Sequence, residues 1–401
     1  MEESTVRDAV ICSAVRTAVG TFGGALAGTP LTELATHVAV EAIGRANLQP
    51  RDVDQTVFGN VIHTEPRDVY LSRVAAIGAG VPETATALTL NRLCGSGLQA
   101  VVTGTEQILL GNAGIVLAGG AENMSRVGHV IGNARFGAKT GDILATDMMV
   151  GALTDPFGHG HMGETAENVA EASEIDRETQ DAYALESHRR AAAAIDSGRF
   201  DGQIVPVTVQ HGRKDFVFLQ DEHVRRDVKP GDLAKLRPAF RKDGSVTPGN
   251  SSGINDGAAA LIVADSDIAR NKGLSAIAKV RSSAVSGVAP EVMGMGPVPA
   301  VKLALMRAGL TVDDLACIES NEAFAAQACA VSKALGFAPE RTNPNGGAIA
   351  LGHPVGASGA IILTKLIHEL RRVAGRYGLA TMCIGGGQGI AVVIENLDAC
   401  A

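Results

Sequence analysis

The chain is 401 residues long, carries 48 glycines and no tryptophan, and has a formal net charge of -8. That charge argues against general affinity for nucleic acid or an anionic membrane, and no apolar run approaches the roughly 18 residues that cross a bilayer. Six cysteines lie scattered without close pairs, and the opening Met-Glu-Glu-Ser lacks the order of a secretory signal, so a cytoplasmic protein with free thiols is expected.

Residues 8–16 read as a buried strand, 31–46 as an amphipathic helix and 52–61 as a second strand. A strand over 87–93 runs into Cys94-Gly95-Ser96-Gly97 and a helix over 98–110, followed by a buried strand over 114–118. This alternation predicts an α/β sheet with both faces covered. Cys94 has two readings, a small buried hydrophobe or a nucleophile. Its place at a helix N-terminus favours the second and predicts a lowered thiol pKa, because free N–H groups and the helix dipole stabilise an anion.

From residue 121 to about 249 the chain is more polar and holds six of the ten histidines. It reads as an insertion with one long helix over 176–197, capped by Asp176. The buried pattern returns at 258–264. Residues 45–52 can be laid on 307–314, and Leu117-Ala118-Gly119-Gly120 resembles Cys383-Ile384-Gly385-Gly386. These echoes predict an internal duplication: residues 1–120 with 250–272 as one α/β half, 121–249 as an inserted loop domain, and 273–401 as the second half.

Three more segments carry chemistry. Asn321 follows a strand over 316–319 and either caps the next helix or holds a water with its amide. Five glycines surround His353 in residues 345–359, leaving it little side-chain packing, and an imidazole is the natural base for a thiol near neutral pH. Cys383 ends a strand and meets four glycines; a strand over 390–395 follows where a phosphate-cradling loop needs a helix. A thiolate there suits removal of a proton from carbon. Two cysteines and a histidine far apart in sequence make no chelating pair, so no metal is expected. His159-Gly160-His161 is the one local chelate pattern, and such loop histidines more often make polar contacts.

Together these four segments resemble the signature blocks of the thiolase family, in its order, and the likeness runs from Val10 to Glu395. It is strongest to bacterial acetyl-CoA acetyltransferases, and Phe58 to Tyr70 resembles the broader-range bacterial β-ketothiolases. The resemblance implies a five-layered αβαβα core, a homotetramer with residues 63–73 in the loop joining dimers, and coenzyme A as substrate and product with no bound cofactor. It implies that Cys94, activated by His353, carries the acyl group, and that Cys383 deprotonates the second acetyl-CoA. It assigns one oxyanion hole to His353 and a water on Asn321, and another to the backbone N–H groups of Cys94 and Gly385. It places His161, Met162, Arg225, Phe240, Ser252, Met293 and Phe324 along the coenzyme A and acyl pocket, Lys235 and Arg237 beside the pantetheine, and leaves Arg226 on a solvated face. Cys12, Cys317, Cys329 and Cys400 match no functional position. The rivals are a degradative thiolase of longer or dicarboxylic substrates, a decarboxylating ketoacyl synthase (which uses a histidine where Cys383 stands), an inactive acyl-CoA carrier and a Cys–His hydrolase.

Overall fold

A computed structural model describes residues 7–137, 139–211 and 214–398; Cys400 lies outside them. Nine strands carry the architecture: β1 (Ala9–Thr17), β2 (Gln55–Gly59), β3 (Thr86–Leu90), β4 (Ile115–Asn123), β5 (Asn255–Asp265), β6 (Ala278–Gly287), β7 (Leu315–Ser320), β8 (Tyr377–Ile384) and β9 (Gln388–Asn396). The helices that matter here are α1 (Leu31–Arg45), α2 (Ser96–Leu109), α3 (Met162–Ser173), α4 (Arg177–Asp196), α5 (Pro297–Ala308), α6 (Ala325–Leu335) and α7 (Val355–Arg372).

The strands follow the order β7-β8-β9-β6-β1-β5-β4-β2-β3. Between β1 and β6 only Val10 with Lys279 and Ile11 with Ala278 pair, so this seam divides the sheet into two halves. The halves repeat each other. In the first, β1 is antiparallel to β5, β5 antiparallel to β4, and β4 parallel to β2. In the second, β6 is antiparallel to β9, β9 antiparallel to β8, and β8 parallel to β7. The segment after Arg45 leads through a short 3-10 turn into β2, and the segment after Arg307 leads through another into β7. The echo between residues 45–52 and 307–314 is thus a repeat of structure.

Helices α2 and α7 pack on each other between the halves, α1 covers the outer face of the first, and α5 covers the outer face of the second. Five layers result. The core divides accordingly: one apolar cluster lies under α1, one surrounds α2 and α7, and one lies under α5. Helix α7 buries 15 of its 18 residues, as a helix covered on all sides must, and it is apolar nearly all round. Its one buried cation, Lys365, pairs with Glu319 of β7 at 2.7 Å.

Most sequence-predicted elements stand within a few residues, and Asp176 caps α4 by accepting from the Thr179 N–H at 2.8 Å. Three differ. β2 starts only at Gln55 because Pro50–Asp52 forms a 3-10 turn. β3 ends at Leu90 instead of 93, because the chain turns there into α2. β4 continues to Asn123 through Glu122, both fully buried, so the polar residues that read as the start of the insertion belong to the strand.

Candidate active site

The site lies where the N-terminal ends of α2 and α7 meet the ends of β7 and β8. Cys94 sits on the turn that joins β3 to α2. The turn is tight: Leu93 is held at φ 45°, the Arg92 N–H donates to Ser96 Oγ at 2.8 Å, and the Ser96 hydroxyl donates to Leu93 O at 2.7 Å. Gly97 is required by α7, since a Cβ there would lie 2.8 Å from the Ala360 backbone nitrogen. Cys94 is half-buried, and the Gly385 N–H donates to its sulfur. The expectation of a lowered thiol pKa is overturned. Burial pushes Cys94 up to about 11, and the carboxylate of nearby Glu122 adds to the rise. The cause is that Cys94 faces α7 and β8 more than water, so desolvation outweighs the donors at the helix start.

His353 lies two residues ahead of α7, as Cys94 lies two residues ahead of α2. It is not loosely packed, as its glycine neighbours suggest, but buried. Ser358 donates to Pro354 O at 2.9 Å, so its oxygen accepts from His353 Nδ1–H at 2.6 Å. This tautomer leaves Nε2 as the acceptor, and Asn321 Nδ2 donates to it at 3.4 Å. Burial lowers the His353 pKa to about 4, so the ring is neutral at physiological pH. Asn321 caps nothing: α6 begins at Ala325, and Asn321 faces the imidazole instead. Its Oδ1 is buried without a protein partner, which suits an acceptor turned toward a water or substrate.

Cys383 ends β8 opposite Gly389 of β9, and the turn between these strands holds Gly386 and Gly387 at φ 79° and 87°. Burial raises the Cys383 thiol far above its ordinary value, and Cys94 beside it raises it further. The two sulfurs and the Gly385 N–H therefore share one small space. Among the described residues no group of three or more His, Cys, Asp or Glu is arranged to hold a metal ion.

An apolar wall adjoins Cys383. Met162, Met293 and Phe324 cluster with it, and Phe240 packs against them. His161 caps α3 through Nδ1 and stacks on Phe240 at 4.9 Å, while Phe240 meets Phe324 edge-on at 6.2 Å. Ser252 borders this wall, its N–H donating to Ala323 O at 3.0 Å. Arg225 is exposed, and its backbone N–H donates to His188 Nδ1 at 3.2 Å. Lys235 and Arg237 are exposed as well, and Arg226 pairs with Asp196 at the surface. His159 lies 3.7 Å from Glu291.

No motif in the sequence singles out Glu122. Its fully buried carboxylate accepts from Asn60 Nδ2 and from the N–H groups of Val61, Ile62 and Gly356, at 2.8 to 3.1 Å. It thus ties the end of β2 to the first turn of α7, and burial raises its pKa to about 8. The available signal was a carboxylate directly after the apolar run 115–121.

Comparison with known proteins agrees over the whole chain. The thiolase N-terminal domain matches residues 9–267 and the thiolase C-terminal domain residues 274–396. The chain is 57% identical to the beta-ketothiolase BktB of Cupriavidus necator, across 98% of this chain and 100% of that protein. It is 48% identical to an acetyl-CoA acetyltransferase of Escherichia coli, across 98% and 100%. Among solved structures, the Bacillus anthracis acetyl-CoA acetyltransferase superposes with a TM-score of 0.96 at 45% identity, covering 98% and 99% of the two chains. Human mitochondrial 3-ketoacyl-CoA thiolase in complex with CoA superposes with a TM-score of 0.95 at 43% identity, covering 98% of each chain.

Proposed function

The chain belongs to the thiolase family, and from that premise we propose that it is a β-ketothiolase that joins acetyl-CoA to a second short acyl-CoA, and in reverse cleaves the 3-ketoacyl-CoA with free CoA. The observation that carries the reading is the convergence of Cys94, Cys383 and the Gly385 N–H, with the His353–Asn321 pair at the start of the neighbouring helix. Cys94 Sγ attacks the thioester carbon as its proton passes to His353 Nε2, and that proton leaves with the CoA sulfur. The transfer is uphill in the resting site, where the thiol is raised and the imidazole lowered, so it proceeds only as the carbonyl carbon takes up the sulfur electrons. Cys383, as its thiolate, then removes a proton from the methyl carbon of acetyl-CoA. The carbanion forms the new C–C bond as the Cys94–acyl bond breaks, and the proton on Cys383 passes to the departing Cys94 sulfur beside it.

The N–H groups of Cys94 and Gly385 are suited to the oxyanion of the acyl-cysteine, and an Asn321-held water, joined by His353 when its Nε2 carries a proton, to the enolate. Each such donor contributes on the order of 3 kcal/mol to a barrier. Coenzyme A acts as substrate and product and no prosthetic group enters these steps. His161, Phe240, Ser252 and Arg225 are the residues we assign to the coenzyme arm, and Met162, Met293 and Phe324 to the acyl group. Two thioethers in that wall give an adaptable surface, favouring acceptance of propionyl as well as acetyl groups. A cysteine at 383 in place of a histidine favours this reading over a decarboxylating synthase.

We further infer a cytoplasmic homotetramer. Exposed Val69 and Tyr70, and Phe136 and Leu144 in the 129–147 segment, are the apolar surface that an assembly would cover. Among the described residues no helix is long and apolar enough to cross a membrane. Thiolysis of acetoacetyl-CoA tests the function: it should require free CoA, and CoA-independent loss of substrate would make the protein a hydrolase. Rates on C4, C5 and C6 ketoacyl-CoA then separate the short-chain enzyme from a degradative one; a rising series sinks the assignment to acetyl and propionyl groups.

A further inference from the structure

A cavity of about 420 Å³ lies away from the reacting sulfurs, between α4, α6 and the 337–343 segment. That volume is within the range of small-molecule sites, and none of Cys94, His353 or Cys383 lines it. Ile175, Tyr183, Cys329 and Phe337 make its body apolar. Two cations border it. Arg190 spends Nε on Glu186 and Nη1 on the carbonyls of Pro339, Thr342 and Asn343, leaving Nη2 without a partner among the described residues. Lys333 is exposed and spends one Nζ proton on Ser173 O. The two acids of the lining are already satisfied. Glu186 is held by Arg189 and Arg190, and Glu322 accepts from Ser187 Oγ, Asn343 Nδ2 and the Ile349 N–H. Arg190 Nη2 and the Nζ of Lys333 are therefore the charged donors at this cavity with capacity to spare.

We propose that this cavity is a second ligand site, which takes a short to medium-chain carboxylic acid with its chain against Ile175, Phe337 and Tyr183 and its carboxylate between Arg190 and Lys333. Glu322 forms part of the wall and is the chain neighbour of Asn321, so occupancy reaches the site through one peptide bond. A ligand that presses on Tyr183 or Asn343 alters the bonds that fix Glu322, and with them the angle at which Asn321 faces His353. Occupancy then changes kcat and leaves the KM for CoA alone.

Sodium octanoate is the probe, applied to the full chain and followed by calorimetry and by ligand-observed NMR with and without saturating CoA. Wild type should bind octanoate whether or not CoA is present. Ser332→Phe fills the cavity and should abolish binding, and Lys333→Glu should weaken it about tenfold, the scale of reversing one partly exposed charge. Ser332 and Lys333 lie outside the reacting site, so both variants should keep their basal thiolysis rate and lose the response of kcat to octanoate. Displacement of octanoate by CoA, unchanged binding in both variants, or no binding by wild type would each overturn the proposal. The binding arm stands apart from the thiolase reading; only the kinetic arm rests on it, so failure of one is distinguishable from failure of the other.

Discussion

A thiol that burial holds near 11 and an imidazole held near 4 do not form an ion pair at rest. The nucleophile is made at the moment of attack, which protects a buried sulfur from idle chemistry. The pH consequence follows from the sign of the histidine shift. Its pKa is lowered, so the neutral base persists as pH falls through 6.5 and is lost only toward 4. Thiolysis at limiting substrate should fall less than about twofold between pH 7 and pH 6, whereas an unshifted histidine would lose most of its base form; a midpoint near 6.5 in kcat/KM would contradict the assignment. Cys94→Ala should abolish acyl-enzyme formation as read by intact-mass spectrometry, and Cys383→Ala should still accept an acetyl group but condense at least about 10³-fold more slowly. Glu122 bears on the same sulfur. Glu122→Gln removes the nearby negative charge, so Cys94 should be alkylated by iodoacetamide a few-fold faster at pH 8, with the pH profile displaced downward. A profile that does not move would leave Glu122 with a purely structural part. The proton affinities behind these outcomes were not legible in the sequence. Residue types announced which groups react, but the burial that sets their proton affinities is a property of the packed whole.

At the level of elements, α2 and α7 each present a reactive side chain two residues ahead of the first turn, and they touch where glycine leaves room. Gly97→Ala would set a methyl group 2.8 Å from the Ala360 nitrogen, a backbone atom that cannot swing aside. Denaturant unfolding should show a loss of about 1–3 kcal/mol, with activity falling further because Cys94 moves with the helix. Ser358 offers a cleaner probe, since it holds the tautomer of His353 and touches no reacting atom. Ser358→Ala should lower kcat by roughly 10- to 100-fold at unchanged stability and KM, the scale of losing an orienting partner. A wild-type kcat would show that the tautomer is set by something else. The strand–helix alternation, the cap at Asp176 and the three glycine-flanked segments were all readable, because each is a local pattern. The extension of β4 through Glu122 and Asn123 was not, because a buried polar residue looks like the start of a loop until its donors are known. Those donors come from residues 60–62 and 356, far away in the chain.

Across the whole molecule the repeat explains why one chain builds one site from both halves. Asn60 follows β2 as Asn321 follows β7; both are buried with an unpartnered Oδ1, yet one bonds Glu122 and the other faces His353. The duplicated frame thus holds equivalent residues at different tasks. Its seam is narrow, and the Lys365–Glu319 pair lies within the central layer that joins the halves. Lys365→Met leaves a carboxylate buried without its cation and should cost about 3–5 kcal/mol in unfolding measurements; the double change with Glu319→Leu should recover much of it. A single variant as stable as wild type would show that the pair does not hold the layer. One outcome of this layout concerns birth rather than catalysis. During synthesis the half that bears Cys94 leaves the ribosome long before His353 and Cys383 have been translated, and the second half brings both only when the two bodies dock. A growing polypeptide therefore holds a nucleophile without its partners, and the full constellation arises only once the second half has been made.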